Sequence, residues 1–221
     1  MVNEPTAQPG LKPLKITCTS SNCSNNLHCF LTTKKLAAEG KTGRCRDCGA
    51  DLVDWQRVSR RDLSDVQYTF EALRLEMIRH HFWHIPLTLV AINHARRKGR
   101  VELRAFANHQ LHQLVGSVRH AREGYQTPRD TSPHANAINF AQHATACCCR
   151  KCIAEWHGIP TTRPLSDDEL AYFTDLVMLY VDDRIPAMTN DRVSIPPIRK
   201  QPGLTRDLGA VRESRNSSHA N

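Results

Sequence analysis

Four cysteines and two histidines crowd into the twenty residues Ala141 to Pro160, AQHATACCCRKCIAEWHGIP. At helical pitch Cys148 and Cys152 share a face at i,i+4, and Cys149 and Cys152 do so at i,i+3. Thiols this close suit a soft metal or a disulfide, and a helix holds them too rigidly for most disulfides. Gly158 fits the position just past a helix end, with Pro160 beyond it, which leaves His157 on the last turn. Two of Cys148, Cys149 and Cys152 with His143 and His157 make a Cys2His2 site. All three thiols with one imidazole make a Cys3His site, and both sets are typical of closed structural zinc. An iron–sulphur cluster fits less well, because it wants four thiolates and no local C-x2-C-x2-C run is present.

A second group lies near the start, in ITCTSSNCSNNLHCF and GRCRDCGADLV. Cys18 and Cys23 form C-x4-C, and Cys45 and Cys48 form C-x2-C followed by Gly49. A turn between two cysteines aims both sulphurs and the loop amides at one ion, so two such knuckles about 20 residues apart predict a four-thiolate zinc ribbon. His28 and Cys29 are surplus, and either could replace Cys23. The plainer reading of Cys29, beside Phe30, is a small buried side chain. Two zinc ions are expected in all.

The elements that must position these groups are helical. The expected fold class is mainly α: four to five helices built around the Cys/His metal helix, preceded by the ribbon. Residues 1–14 read as a flexible lead-in, 15–58 as the ribbon, 59–186 as the helical domain and 187–221 as a disordered basic tail. Ser64 is placed to cap a helix carrying Val66, Phe70, Leu73, Met77 and Ile78, which Pro86 ends. His80 and His84 stand at i,i+4 on it, and with no acid or cysteine nearby they read as packing beside Trp83 rather than as ligands. Pro86 opens a second helix through Leu89, Val90, Ile92 and Ala95, and a third runs from Val101 to Arg122. Ser166 to Glu169 is a capping box for a last helix through Leu170, Phe173, Leu176, Val177 and Tyr180.

The formal net charge is +8, and residues 94–129 hold eight basic side chains against Glu102 and Glu123, net +6. Such a stretch is either a solvated helix face or a polyanion surface, with Arg96, Arg97, Lys98, Arg100 and Arg104 as its candidate nucleic-acid contacts. The opening MVNEPTAQPG has no apolar core of a secretory signal, and no run of about 20 apolar residues predicts a membrane span. Nine cysteines without such a signal point to a reducing compartment, so a cytoplasmic protein is expected.

The stretches REGYQTP, AQHATACCCRKCIAEWHGIP and RPLSDDELAYFTDLVMLYV, from about Arg122 to Asp183, resemble a family of small bacterial and phage proteins of unknown function. Its pattern runs R-x-G-x-Q-T-P, A-Q-H-A-T-x-x-C-C-R-x-C, then W-H-x-I-P and a terminal helix. That resemblance implies that His143, Cys148, Cys149, Cys152 and His157 form one unit with Arg122, Gln126 and Thr127. It also implies that Cys147, often threonine in the pattern, is the expendable cysteine. It implies no activity.

Three function classes follow. The first is a zinc-binding protein that contacts nucleic acid through residues 94–129 and the ribbon. The second is a metal-dependent hydrolase acting on a phosphodiester, with Glu155 as general base and Arg122, Arg129 or Arg150 neutralising phosphate. Its pocket would involve Gln126 in the polar RxGxQTP loop, and a thiol nucleophile activated by His143 is the weakest variant of it. The third is a non-catalytic adaptor whose metal sites stabilise a surface for a protein partner.

Overall fold

The computed structural model describes residues 16–118 and 135–196. Arg122, Gln126, Thr127 and Arg129, the lead-in 1–14 and the tail beyond 196 lie outside the described residues. Within them the chain forms eight α-helices and no strand, only the isolated bridges Asn22–Leu27 and His28–Glu76. The helices are α1 Lys34–Ala38, α2 Trp55–Arg60, α3 Val66–Leu73, α4 Met77–His84, α5 Leu89–Val115, α6 Ala137–Ala144, α7 Arg150–His157 and α8 Asp167–Arg184. The fold is mainly α, as the periodicity required. The front unit is a looped module without the strands of a ribbon.

The central element is α8 rather than the cysteine stretch. Leu170, Phe173, Leu176, Val177, Met178, Tyr180 and Val181 are all buried, and a helix apolar around most of its girth belongs inside. Its start is the expected capping box, with Ser166 and Glu169 each bonding the other's backbone amide. Helices α3, α5 and α6 pack on it, and α4 packs on α6. The face of α5 in the interior is a stripe spaced by four, Ala91, Ala95, Gly99, Leu103, Ala107, Leu111 and Val115. Small residues along that stripe let the helices approach closely. Leu89 and Val90 are exposed at the start of this helix, which Thr88 caps by accepting from the Ala91 amide.

A sharp break at Gly99 divides α5, where the expected second helix gives way to the third. Gly99 has φ 71° and ψ 168°, a conformation essentially confined to glycine. The first ten residues of the expected tail, 187–196, lie against this break. Arg100 and Val101 donate their amides to the carbonyls of Thr189 (2.8 Å) and Asn190 (3.3 Å). A Cβ on Gly99 would overlap the Asp191 carbonyl oxygen.

The expected single helix from Val66 to His84 is two helices. Glu76, between them, is extended (φ −87°, ψ 125°). His28 donates its amide to Leu75 (2.7 Å) and accepts from Met77 (2.9 Å), bracketing Glu76. Backbone pairing with a residue 48 positions earlier overrides local helix preference here. No described helix is long and apolar enough to cross a membrane.

Candidate metal centres

The first centre gathers Cys23, His28, Cys45 and Cys48, whose ligand atoms all lie within 4.8 Å of one another. Cys23 and Cys45 place their sulphurs 3.7 Å apart, and the Cys48 sulphur is 3.5 Å from His28 Nδ1. A tetrahedral ion with Zn–S of about 2.3 Å and Zn–N of about 2.05 Å has S···S edges near 3.8 Å and S···N edges near 3.6 Å. The donor set and its spacing therefore fit zinc. Local turns build it: a 3-10 turn over Cys23–Asn25, the left-handed Asn26 (φ 57°), and the Asn22–Leu27 bridge close the first knuckle. Gly49 donating to Cys45 (2.8 Å), and Cys45 donating to Ala50 (2.9 Å), close the second.

Burial pushes the Cys45 thiol up, but backbone amide donors around it and His28 outweigh this and bring it to about 6. A sulphur so placed favours the thiolate, the form that binds metal. His28 Nε2 lies 3.1 Å from Asn26 Oδ1. That contact assigns the ring proton to Nε2 and leaves Nδ1 free for the ion, the usual support of a ligating histidine.

This corrects the expected ligand set. Cys18 is absent from the first centre and His28 takes its place, while Cys29 is buried with its thiol donating to the Cys18 carbonyl (3.3 Å). The module rests on an aromatic cluster in which Phe30 lies 5.7 Å from both Trp55 and Trp156.

The second centre gathers Cys148, Cys149 and Cys152, again with sulphurs within 4.8 Å of one another. They do not share a helical face. Helix α6 ends at Ala144, Ala146 turns left-handed (φ 56°), and Cys149 is the extended N-cap of α7, accepting from the Cys152 amide (3.4 Å). A turn entering a helix, rather than helical pitch, converges the three. Gln142 fixes that turn by donating to the Cys147 carbonyl (3.3 Å), while Gln110 on α5 donates to Gln142 (3.0 Å). Cys147 stands apart beside Thr145, and burial pushes its thiol up to about 12.

Neither expected imidazole joins the sulphurs. His143 stacks on Phe82 with ring centres 4.4 Å apart. His157 is fully buried between Tyr172 and Phe173, with Nε2 3.1 Å from the Thr145 carbonyl. Burial holds its pKa down to about 3, so it is neutral and donates that proton. Gly158 ends α7 in the left-handed region, as its place in the sequence implied. His80 and His84 stack on each other at 4.0 Å, with no acidic or cysteine partner grouped with them among the described residues.

Sequence reasoning missed a buried ion pair behind the second centre. Arg79 donates to Glu76 (2.9 Å), to the His143 carbonyl (2.7 Å) and to the Cys152 sulphur (3.2 Å). Glu76 also accepts from Trp156 (2.7 Å). The neighbouring thiols Cys148, Cys149 and Cys18, aided by Arg79, hold the Cys152 thiol well below its ordinary range. The only sequence signal was an acid and a base three apart, Glu76 and Arg79.

Beside the sulphurs lies a cavity of about 200 Å³, lined by Phe30, Ile78, Phe82 and Trp156 and by the polar Glu76, Arg79, Lys151 and Glu155. Glu155 accepts from the Thr32 amide (3.2 Å). Arg150, a candidate phosphate contact, is fully buried and bonds the carbonyls of Val115, Pro160 and Arg163, so it is a strut. The basic stretch on α5 is largely paired. Lys98 meets Glu102 (2.8 Å), Arg100 meets Asp182 (2.8 Å), Arg104 meets Asp175, and Arg97 bonds the carbonyls of Ile195 and Pro196.

The family model of a domain of unknown function, DUF4186, matches residues 67–182, more than half of the chain. The chain belongs to the DUF4186 family. No solved structure matches it. The DUF4186 span contains the second centre and its Arg79 support, whereas Cys23, His28, Cys45 and Cys48 lie ahead of it. Two clusters that could hold metal ions thus sit on either side of the family boundary.

Proposed function

We propose that the protein binds two zinc ions and contacts nucleic acid through its front metal module. The observation carrying this reading is the charge that the first centre holds up to solvent. Between its two knuckles run Lys34, Lys35, Lys41 and Arg44 against a single Glu39. Lys34, Lys35, Lys41 and Arg44 are exposed, and among the described residues no ion pair engages Lys34 or Lys35. The α5 stretch contributes less to this reading than its composition suggested, since of its five named cations Lys98, Arg100 and Arg104 are ion-paired and Arg97 is tied to backbone carbonyls. Fluorescence anisotropy of the zinc-loaded protein on generic duplex DNA and single-stranded RNA tests the reading. Three phosphate contacts give a log K against log salt slope of about −3 on duplex DNA, and Lys34→Glu with Lys35→Glu weakens binding by about tenfold or more. Affinity that is absent or flat with salt removes the reading.

A second reading is a zinc-dependent phosphodiester hydrolase. Its support is the cavity, where Glu155 stands in one lining with the three sulphurs. It needs one coordination position left for water. Failure to cleave nucleotides or nucleic acid with zinc or manganese would exclude it.

A further inference from the structure

The trio Cys148, Cys149 and Cys152 is one ligand short of a closed tetrahedral site, and the imidazoles are engaged elsewhere. One more sulphur faces the same cavity, that of Cys18. Cys18 and Cys152 line that cavity together, near enough for each thiol to perturb the other. The Cys18 sulphur stands outside the 4.8 Å envelope the trio shares, so closing the site needs it to move in toward the three sulphurs. Its backbone is held in place, because Cys29 donates to the Cys18 carbonyl and Ser20 donates to Thr17 (3.0 Å) in a tight turn.

We propose that Cys18 is the fourth ligand of the second centre, which is a closed four-sulphur metal site. This rests on the reading that the protein holds soft metal ions and is independent of any nucleic-acid contact. An ion there takes up four thiolates and releases the protons of those still protonated. Arg79, donating to Cys152 from the buried side, offsets part of the resulting negative charge. The ion also joins a residue ahead of the family span to three residues near its far end, and so staples the front segment to the helical core. With the fourth position filled by sulphur, no water is activated there, and the cavity stands beside a structural ion.

Alkylation footprinting of the intact wild-type protein tests this without any substitution. Iodoacetamide labelling read by peptide mass spectrometry is compared with and without zinc. Cys18 should be protected by zinc together with Cys148, Cys149 and Cys152, by at least tenfold in rate. Cys18→Ser should keep one zinc ion as firmly as wild type and release the other to a chelator at least tenfold more readily. His143→Ala and His157→Ala should keep both. Zinc bound at the trio with Cys18 labelled equally fast in both states overturns the inference alone. A wild-type protein holding no ion at the trio overturns the metal reading itself. If Cys18→Ser fails to fold, a cobalt-loaded wild-type spectrum with four-sulphur character at one site supports the assignment, and three-sulphur character at both sites refutes it.

Discussion

His157 decides between a metal-binding and a packing role, and its titration gives a measurable consequence. Its pKa moves from 6.5 in the unfolded chain to about 3 in the fold, because the buried ring cannot take a proton. The folded pKa is the lower one, so the unfolded chain binds more protons between pH 6.5 and 3, and stability falls as pH drops through that window. At pH 7 the difference is small, about 0.2 kcal/mol; at pH 5 it reaches about 2 kcal/mol. The value at pH 5 is insensitive to the folded pKa, since any value below about 4 gives nearly the same loss. Urea unfolding at both pH values, on wild type and on His157→Gln, is the assay. Glutamine cannot be protonated, so its loss from pH 7 to 5 should be smaller than that of wild type by about 2 kcal/mol. Thiolate protonation and metal release affect both proteins and cancel in the comparison. Equal losses in the two proteins would refute the packing role, and loss of a zinc ion from the variant at pH 7 would make His157 a ligand after all.

Gly99→Ala forces a side chain into a glycine-only conformation and onto the Asp191 carbonyl, releasing the two amide bonds to Thr189 and Asn190. Strain of 1–3 kcal/mol and roughly 1 kcal/mol for a lost bond suggest a destabilisation of about 3 kcal/mol in urea; less than 1 kcal/mol would show that residues 187–196 are not docked there. Asn26→Gly preserves the left-handed backbone but removes the acceptor for His28 Nε2. Chelator competition should then show the first ion bound about 10–100-fold more weakly with the second unaffected, and unchanged affinity would mean that His28 is not a ligand.

Much of the helical frame was legible because its causes are local. The Ser166 and Glu169 box, the glycine after His157 and the apolar spacing along α5 each act within a few residues. The ligand assignment was not, for a specific reason. Cys18 to Cys23 and Cys23 to His28 have the same x4 spacing, so spacing alone cannot choose between them. The signal that could have chosen is the turn chemistry of Ser24, Asn25 and Asn26, since asparagine tolerates the left-handed conformation that closes the knuckle. The trio was found for an incomplete reason. Its cysteines were read along a helix, but a left-handed Ala146 and an extended Cys149 bring them together. The basic stretch on α5 misled because its partners, Asp175 and Asp182, lie more than seventy residues away in sequence.

Glu76 ties these observations together. The backbone of His28, a candidate ligand of the first centre, pairs on both sides of Glu76 and holds it extended. The Glu76 carboxylate meets Arg79 and Trp156, and Arg79 meets Cys152 of the second centre. Burial lifts the Glu76 carboxyl above its ordinary range, while Arg79 and Trp156 oppose the lift. A carboxylate buried like this is tolerable only while both donors stay in place, and breaking such a pair costs about 3–5 kcal/mol. Through these contacts the backbone of His28, Glu76 and Arg79 form one connected path between the two candidate centres. The front module lies ahead of the family span, yet its His28 backbone holds in register the buried charge that meets Cys152 within that span.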